Sequence, residues 1–250
     1  MAQGNLFDPA ELPSIAPEWS RGPVRAGAAE ERPRVLRAQD FPGGPPTGPG
    51  ICGIDEAGRG PLAGPVYAAA VMLPDAFPLD VLGDSKTLTE RRRLEAFDLI
   101  VAGATAWAID WAYPSEIDEL NILEASMLAM RRAYVRACAM LDPATGQAPA
   151  SPEMVYVDGN RDPRLGRPAV PVVKGDAIVP AIMAASILAK VARDRAMERW
   201  DWIYPEYGYA RHKGYPTAAH RATCRRLGPS PIQRLTFRCE LKRDRGPLPR

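Results

Sequence analysis

Apolar and polar positions along this chain alternate between two periods. Residues 51–54 form a short apolar run that leads into Asp55 and Glu56 and predicts a first strand. A second is expected over 65–73, stopped by Pro74, and a third over 104–113, where Trp107, Ile109 and Trp111 alternate. The first two lie close together, which favours an antiparallel meander. Between the second and third, residues 85–101 carry Leu94, Phe97 and Ile100 at helical spacing. Over 115–141 the apolar positions Leu120, Leu123, Met127, Met130 and Tyr134 keep a helical period and predict one or two helices. A fourth strand is expected over 154–157, ending at Asp158-Gly159, and a fifth over 169–173, ending at Lys174-Gly175-Asp176. Residues 178–200 read as a long helix, apolar at first and charged later, followed by shorter helical pieces to about Phe237. Three consecutive strands, then helix, strand, strand and helix, indicate an α/β fold: a mixed five-stranded sheet flanked by helices, with a small C-terminal helical region.

Composition divides the chain further. Residues 1–48 are expected to form a disordered Pro/Gly-rich extension, because Pro42-Gly43-Gly44-Pro45-Pro46 and Gly48-Pro49-Gly50 cannot hold a helix or a central strand. The remainder, within 250 residues of which 46% are hydrophobic, suffices for one substantial core over 49–200, a helical region over 201–240 and a basic tail over 241–250. The net charge of +2 hides an asymmetry: residues 190–250 hold fifteen Lys and Arg against six Asp and Glu. That stretch is either a solvated helical surface or the basic face of a polyanion-binding protein. Cys52, Cys138, Cys224 and Cys239 form no C-x-x-C pair, and with only His212 and His220 beside them a structural zinc site is not expected. The start lacks the basic and apolar regions of a signal peptide, and the longest apolar run ends at Lys190, too short for a bilayer. A soluble, cytoplasmic protein is expected.

The acids carry the chemistry. Asp55 and Glu56 follow an apolar strand and sit among glycines; Asp158 and Asp176 end the fourth and fifth expected strands, each beside a glycine. Adjacent side chains on a regular strand point to opposite faces, so Asp55 and Glu56 can share one site only where the strand frays into a turn, which Gly58 and Gly60 would allow. Four crowded carboxylates repel one another unless hard divalent ions bind between them. Two such ions about 4 Å apart can clamp the attacking water and the leaving oxygen of a phosphodiester.

Several segments together resemble ribonuclease HII. Residues 53–66, beginning Gly53-Ile54-Asp55-Glu56-Ala57-Gly58-Arg59-Gly60, are similar to its opening signature, and Asp84-Ser85-Lys86-Thr87-Leu88 to its D-S-K-x-L segment. Val157-Asp158-Gly159 and Lys174-Gly175-Asp176-Ala177 resemble the segments of its third and fourth acids, residues 184–194 its long helix, and Tyr207-Gly208-Tyr209-Ala210 with His212-Lys213-Gly214-Tyr215-Pro216-Thr217 its C-terminal region. The likeness spans roughly 51–240, in order.

The resemblance implies an RNase H-like fold and an endonuclease requiring two Mg²⁺ or Mn²⁺ ions, held by Asp55, Glu56, Asp158 and Asp176, with Asp55 bridging both. It implies that an activated water attacks the phosphorus 5′ of a ribonucleotide embedded in duplex DNA, or in RNA of an RNA–DNA hybrid, leaving 3′-hydroxyl and 5′-phosphate ends. A role in ribonucleotide removal from DNA follows. Gly58-Arg59-Gly60 would read the 2′-hydroxyl through its backbone, and Tyr215 would pack on the following sugar, where a ring leaves no room for a 2′-hydroxyl. Ser85, Lys86 and Arg59 are candidate phosphate contacts; Ser186 and Lys190 serve either phosphate or helix packing. Arg211, Lys213, Arg221, Arg225 and Arg226 either hold the duplex backbone or are solvated charge. Residues 201–240 would then be a substrate-binding region of a monomer. In the stretch Ser230-Pro231-Ile232-Gln233-Arg234, Gln233 stands where relatives commonly carry His, so the resemblance carries over neither a proton-transfer nor a phosphate-contact role to this position.

Gln3-Gly4-Asn5-Leu6-Phe7 resembles the Q-x-x-L-F peptides that dock on bacterial sliding clamps, so Gln3, Leu6 and Phe7 are candidate clamp contacts. Two rival readings are less well matched. Ribonuclease HIII carries an ordered N-terminal domain, for which residues 1–50 are too short, and a pure binding protein would gain nothing from four crowded acids.

Overall fold

The computed structural model describes residues 34–83, 88–141 and 151–237. Ser85 and Lys86, the peptide of Gln3, Leu6 and Phe7, Cys239 and the tail over 241–250 lie outside them. Among the described residues no helix is long and apolar enough to cross a membrane.

One sheet organises the fold. Strand β1 (Ile51–Ala57) is central; β2 (Val66–Met72) and β3 (Ala106–Ala112) continue from it antiparallel, while β4 (Met154–Asp158) and β5 (Val170–Val172) lie on its other side and run parallel to it, giving the order β3-β2-β1-β4-β5. This is the mixed five-stranded sheet that the periodicity predicts. Helix α1 (Glu90–Gly103), capped by Thr89, joins β2 to β3. Helices α2 (Pro114–Leu120) and α3 (Ile122–Ala139) follow β3, separated at Asn121, whose left-handed backbone ends one helix while its Oδ1 accepts the Leu123 and Glu124 amides to start the next. Helix α4 (Pro180–Ile203) crosses the sheet, and α5 (Tyr209–His212) and α6 (Ala218–Leu227) close the C-terminal part.

The two faces of the sheet differ. Cys52, Ile54, Ala68, Ala70 and Met72 pack with Ile117, Met130 and Tyr134 of α2 and α3 in the main core. The opposite face, bearing Gly53 and Asp55, receives α4. Here Gly53 is required by space, since a Cβ on it would stand 2.1 Å from the Ala181 backbone carbon. The start of α4 therefore abuts β1 directly, and the helix lies beside the acid two residues further on.

Two expectations about segment ends are corrected. Residues 34–48, read from composition as the end of a disordered extension, pack on the sheet edge. Leu36 donates to Pro171 O at 2.8 Å and accepts from Val173 N at 2.9 Å, while Phe41 stands edge-on to Tyr156. Leu36 and Phe41 supply enough apolar surface to cover an edge strand, a use that bulk composition averages away. Strand β1 also does not fray at its acids: it stays in register with β2 through Asp55↔Ala69, Glu56↔Ala68 and Ala57↔Tyr67.

Candidate active site

Neighbouring parallel strands deliver carboxylates to one edge. Asp55 projects from β1, Asp158 ends the adjacent β4, and Asp176 lies in a 3-10 turn, Gly175–Ala177, directly after β5. One carboxylate oxygen from each of the three lies within 4.8 Å of the others. The turn is built tightly: Lys174 adopts the left-handed conformation, a Cβ on Gly175 would meet Ile182 Cδ1 at 2.6 Å, and the Asp176 amide donates to Asp158 Oδ1 at 3.3 Å.

Burial and like charge act together on Asp55, which is 4% exposed. Loss of solvent, then the neighbouring charges of Glu56, Asp158 and Asp176, push its carboxyl well above the usual carboxylate range, against a hydrogen bond from the Glu56 amide. Glu56 presses on Asp55 electrostatically without joining the converging trio. Because β1 remains regular, the two side chains diverge, and Glu56 Oε1 accepts from Arg59 Nη1 at 3.3 Å. The sequence expectation of four converging acids is thus met by three, with the fourth held alongside. Three hard oxygen donors in a partly desolvated, mutually repelling cluster suit a hard divalent cation.

Immediately after β1, residues 58–65 form a loop governed by two buried arginines. Arg234, with no exposed surface, donates to Gly58 O (2.6 Å), Arg59 O (3.0 Å), Pro61 O (2.8 Å) and Gly64 O (2.8 Å). A trans peptide unit sets its N–H opposite its C=O. With the carbonyls of Gly58 and Arg59 turned toward Arg234, the amides of Arg59 and Gly60 point away from it. Arg193 of α4 donates to Pro65 O, Ala63 O and Lys213 O. Gly58, at φ 100°, leaves room for this side chain, as a Cβ there would lie 2.0 Å from Arg193 Nε.

Gly60 faces Tyr215, whose Cε1 would be 3.6 Å from a Cβ on the glycine. Tyr215 is 44% exposed and sits on a turn held by both histidines. His212 accepts the Gly214 amide at Nδ1, and His220 Nδ1 lies 3.0 Å from Tyr215 O. The two rings stack with centroids 4.4 Å apart.

The remaining expected contacts are more scattered. Ser186 is buried within α4, and Lys190 Nζ is held by Asp194 of the same helix at 2.6 Å. Lys213 pairs with Glu198, and Arg221 donates to Pro216 O. Gln233 is buried with its Oε1 3.7 Å from Cys224 Sγ, and its backbone bridges Ala63. Sequence reasoning assigned no role to Arg193 or Arg234. For Arg193 a signal existed: it falls in phase with Ile182, Ser186, Ala189 and Met197 on the buried stripe of α4, where a charge is out of place.

Comparison with known proteins identifies the family. The sequence profile of the family described as Ribonuclease HII matches residues 52–240. A ribonuclease HII from Nitrosospira multiformis is 50% identical over 189 residues, which is 76% of this chain and 89% of that protein. Among solved structures, the ribonuclease H2 of Pyrococcus horikoshii OT3 aligns with a TM-score of 0.58 at 28% identity, covering 76% of this chain and 94% of that one. The Archaeoglobus fulgidus RNase HII, solved as a PCNA:RNase HII complex, aligns with a TM-score of 0.59 at 25% identity, covering 77% of this chain and 96% of that one.

Proposed function

The chain belongs to the ribonuclease HII family, and from that membership we propose that it cuts duplex DNA on the 5′ side of embedded ribonucleotides, and the RNA of RNA–DNA hybrids, leaving 3′-hydroxyl and 5′-phosphate ends. That it is a hydrolase of the RNase H type, a metal-dependent endonuclease, follows from the family. The finer reading rests chiefly on one observation: the carboxylates of Asp55, Asp158 and Asp176 converge at the edge from which the 58–65 loop departs.

In this reading Asp55, Asp158 and Asp176, with Glu56 beside them, hold two Mg²⁺ or Mn²⁺ ions. Such ions, when bound, neutralise the crowded acids and supply Lewis acidity toward a phosphodiester. The protein's own part is recognition. The outward amides of Arg59 and Gly60 offer donors to a 2′-hydroxyl, which a deoxyribose lacks. The Tyr215 ring, half exposed beside Gly60, packs on the next sugar and favours deoxyribose there. Arg59 and, outside the described residues, Ser85 and Lys86 contact phosphates, with Ser186 and Lys190 as further candidates on α4. The enzyme works as a cytoplasmic monomer in ribonucleotide removal.

Incubation with a duplex carrying a single ribonucleotide, in Mg²⁺ or Mn²⁺, followed by end mapping, tests the proposal. Cleavage 5′ of the ribonucleotide is expected; cleavage of long hybrids only, or binding without cleavage, refutes it. Tyr215→Ala is expected to weaken the preference for a ribose followed by deoxyribose by about tenfold. An unchanged pattern removes its assigned role.

The peptide with Gln3, Leu6 and Phe7 extends the proposal to a partner, the bacterial sliding clamp, in line with the PCNA complex of the Archaeoglobus relative. Titration against purified clamp should show binding that Leu6→Ala with Phe7→Ala abolishes. Equal binding by both proteins, or none by either, ends it.

A further inference from the structure

The two sugar-reading elements come from distant parts of the chain yet touch. Gly60 meets the Tyr215 ring, and one backbone hydrogen bond, Leu62 N to Gly214 O at 2.8 Å, ties their segments together. The other tie is a side chain. Arg193 is 1% exposed and reaches both segments at once: Nε donates to Pro65 O (3.2 Å), and Nη2 to Ala63 O (3.3 Å) and Lys213 O (2.9 Å). Its guanidinium carbon lies 5.8 Å from the centroid of the Tyr215 ring, and Gly58 is moulded around its Nε.

A guanidinium is a costly filler. Among the described residues Arg193 makes no ion pair, so the desolvation of its charge is offset by carbonyl dipoles, with the Tyr215 ring and the Asp194 charge nearby. An apolar side chain would fill the volume without that cost. A flexible ammonium could reach one segment but would lack the planar fork that holds carbonyls on two. What the arginine adds is therefore a fixed separation between the 58–65 loop and the 212–217 turn.

We propose that Arg193 is a positioning residue that sets the distance between the Gly58-Arg59-Gly60 backbone and the Tyr215 ring, and thereby makes the enzyme read two successive sugars, ribose then deoxyribose, as one unit. The inference rests on the reading of those two elements given above. Each element meets one sugar. Only a fixed spacing makes the second sugar count when the first is correct.

The experiment compares kcat/KM for two duplexes that differ only in the sugar after the target ribose, deoxyribose or ribose, using wild type, Arg193→Lys and Arg193→Met. In both variants the preference for the deoxyribose-following duplex is expected to fall about tenfold. The kcat on the ribose-following duplex should stay within about threefold. Hydrogen exchange of the Leu62 amide should quicken, because a tie across the same two segments has loosened. Ile187→Val, a buried methyl deletion on the same helix, controls for lost stability and should leave the preference unchanged. Folded Arg193 variants that keep the wild-type preference, or that lose activity equally on both duplexes, overturn the proposal. A wild type with no preference overturns the reading of the two elements instead. Arg193→Lys retains the charge and keeps the test decisive if Arg193→Met does not fold.

Discussion

Two regions of this protein gather charge of one sign, and they treat it in opposite ways. At the strand ends Asp55, Asp158 and Asp176 are brought within 4.8 Å of one another, and Asp55 is held against its own ionisation. Against the loop that follows β1, Arg193 and Arg234 are buried near each other, and loss of solvent followed by this mutual repulsion draws the Arg234 guanidinium down to about 9, so it stays protonated at neutral pH. The arginines, however, are satisfied from within by seven hydrogen bonds to backbone carbonyls. Charge answered inside the fold becomes architecture, whereas charge crowded against its like becomes a demand on the surroundings. In the proposed function the first region takes up a cation, and the second shapes the loop that meets the nucleic acid.

Substitutions that exchange these roles sharpen the contrast. The largest effect is expected from Asp158→Asn: turnover should fall by about a thousandfold or more, while duplex binding measured by anisotropy changes little, because the acid serves chemistry and not the groove. Arg234→Met should act the other way round. It strands the carbonyls of Gly58, Arg59, Pro61 and Gly64, and urea unfolding without metal should show a loss of about 3 kcal/mol. A loss below about 1 kcal/mol would mean that water replaces the guanidinium and that the loop does not depend on it.

A smaller effect of opposite sign belongs to the acid cluster. In metal-free protein Asp55→Asn removes a buried, repelled carboxylate and should raise stability by about 1 kcal/mol. The same variant should lose the rise in Tm that Mg²⁺ or Mn²⁺ gives the wild type. Smallest is a pH effect in the turn that carries Tyr215. Burial holds His212 and His220 below their ordinary value, and among the described residues His220 Nε2 has no hydrogen-bond partner. The unfolded chain therefore binds protons that the folded chain refuses, and stability should decline as the pH drops below about 6.5. Thermal melts from neutral to mildly acidic pH, with His220→Asn flattening the slope, check this.

What the sequence made legible follows from the same contrast. The strands were readable because their apolar runs are bounded by Pro74, Gly159 and Gly175, and three acids were readable because each ends or nearly ends such a run. The divergence of Glu56 was not, since it depends on β1 continuing in pairing with Tyr67 of β2, a tertiary fact. The arginine pair escaped for a different reason: backbone carbonyls, their partners, have no letter in the sequence. Only the phase of Arg193 on the α4 stripe hinted that this charge points inward. Residues 34–48 were misread because two side chains, Leu36 and Phe41, decided their fate against a background of proline and glycine.

The bond between Arg234 and Gly58 joins positions 176 residues apart, and this has a consequence in time. During synthesis the three clustered acids have all left the ribosome once Asp176 emerges, but the loop beside them waits for a side chain still to be made. At ordinary translation speeds the whole interval from Gly58 to Arg234 lasts on the order of ten seconds or more. A nascent or prematurely terminated chain can thus carry all three clustered acids before it has the side chain that holds the adjoining loop.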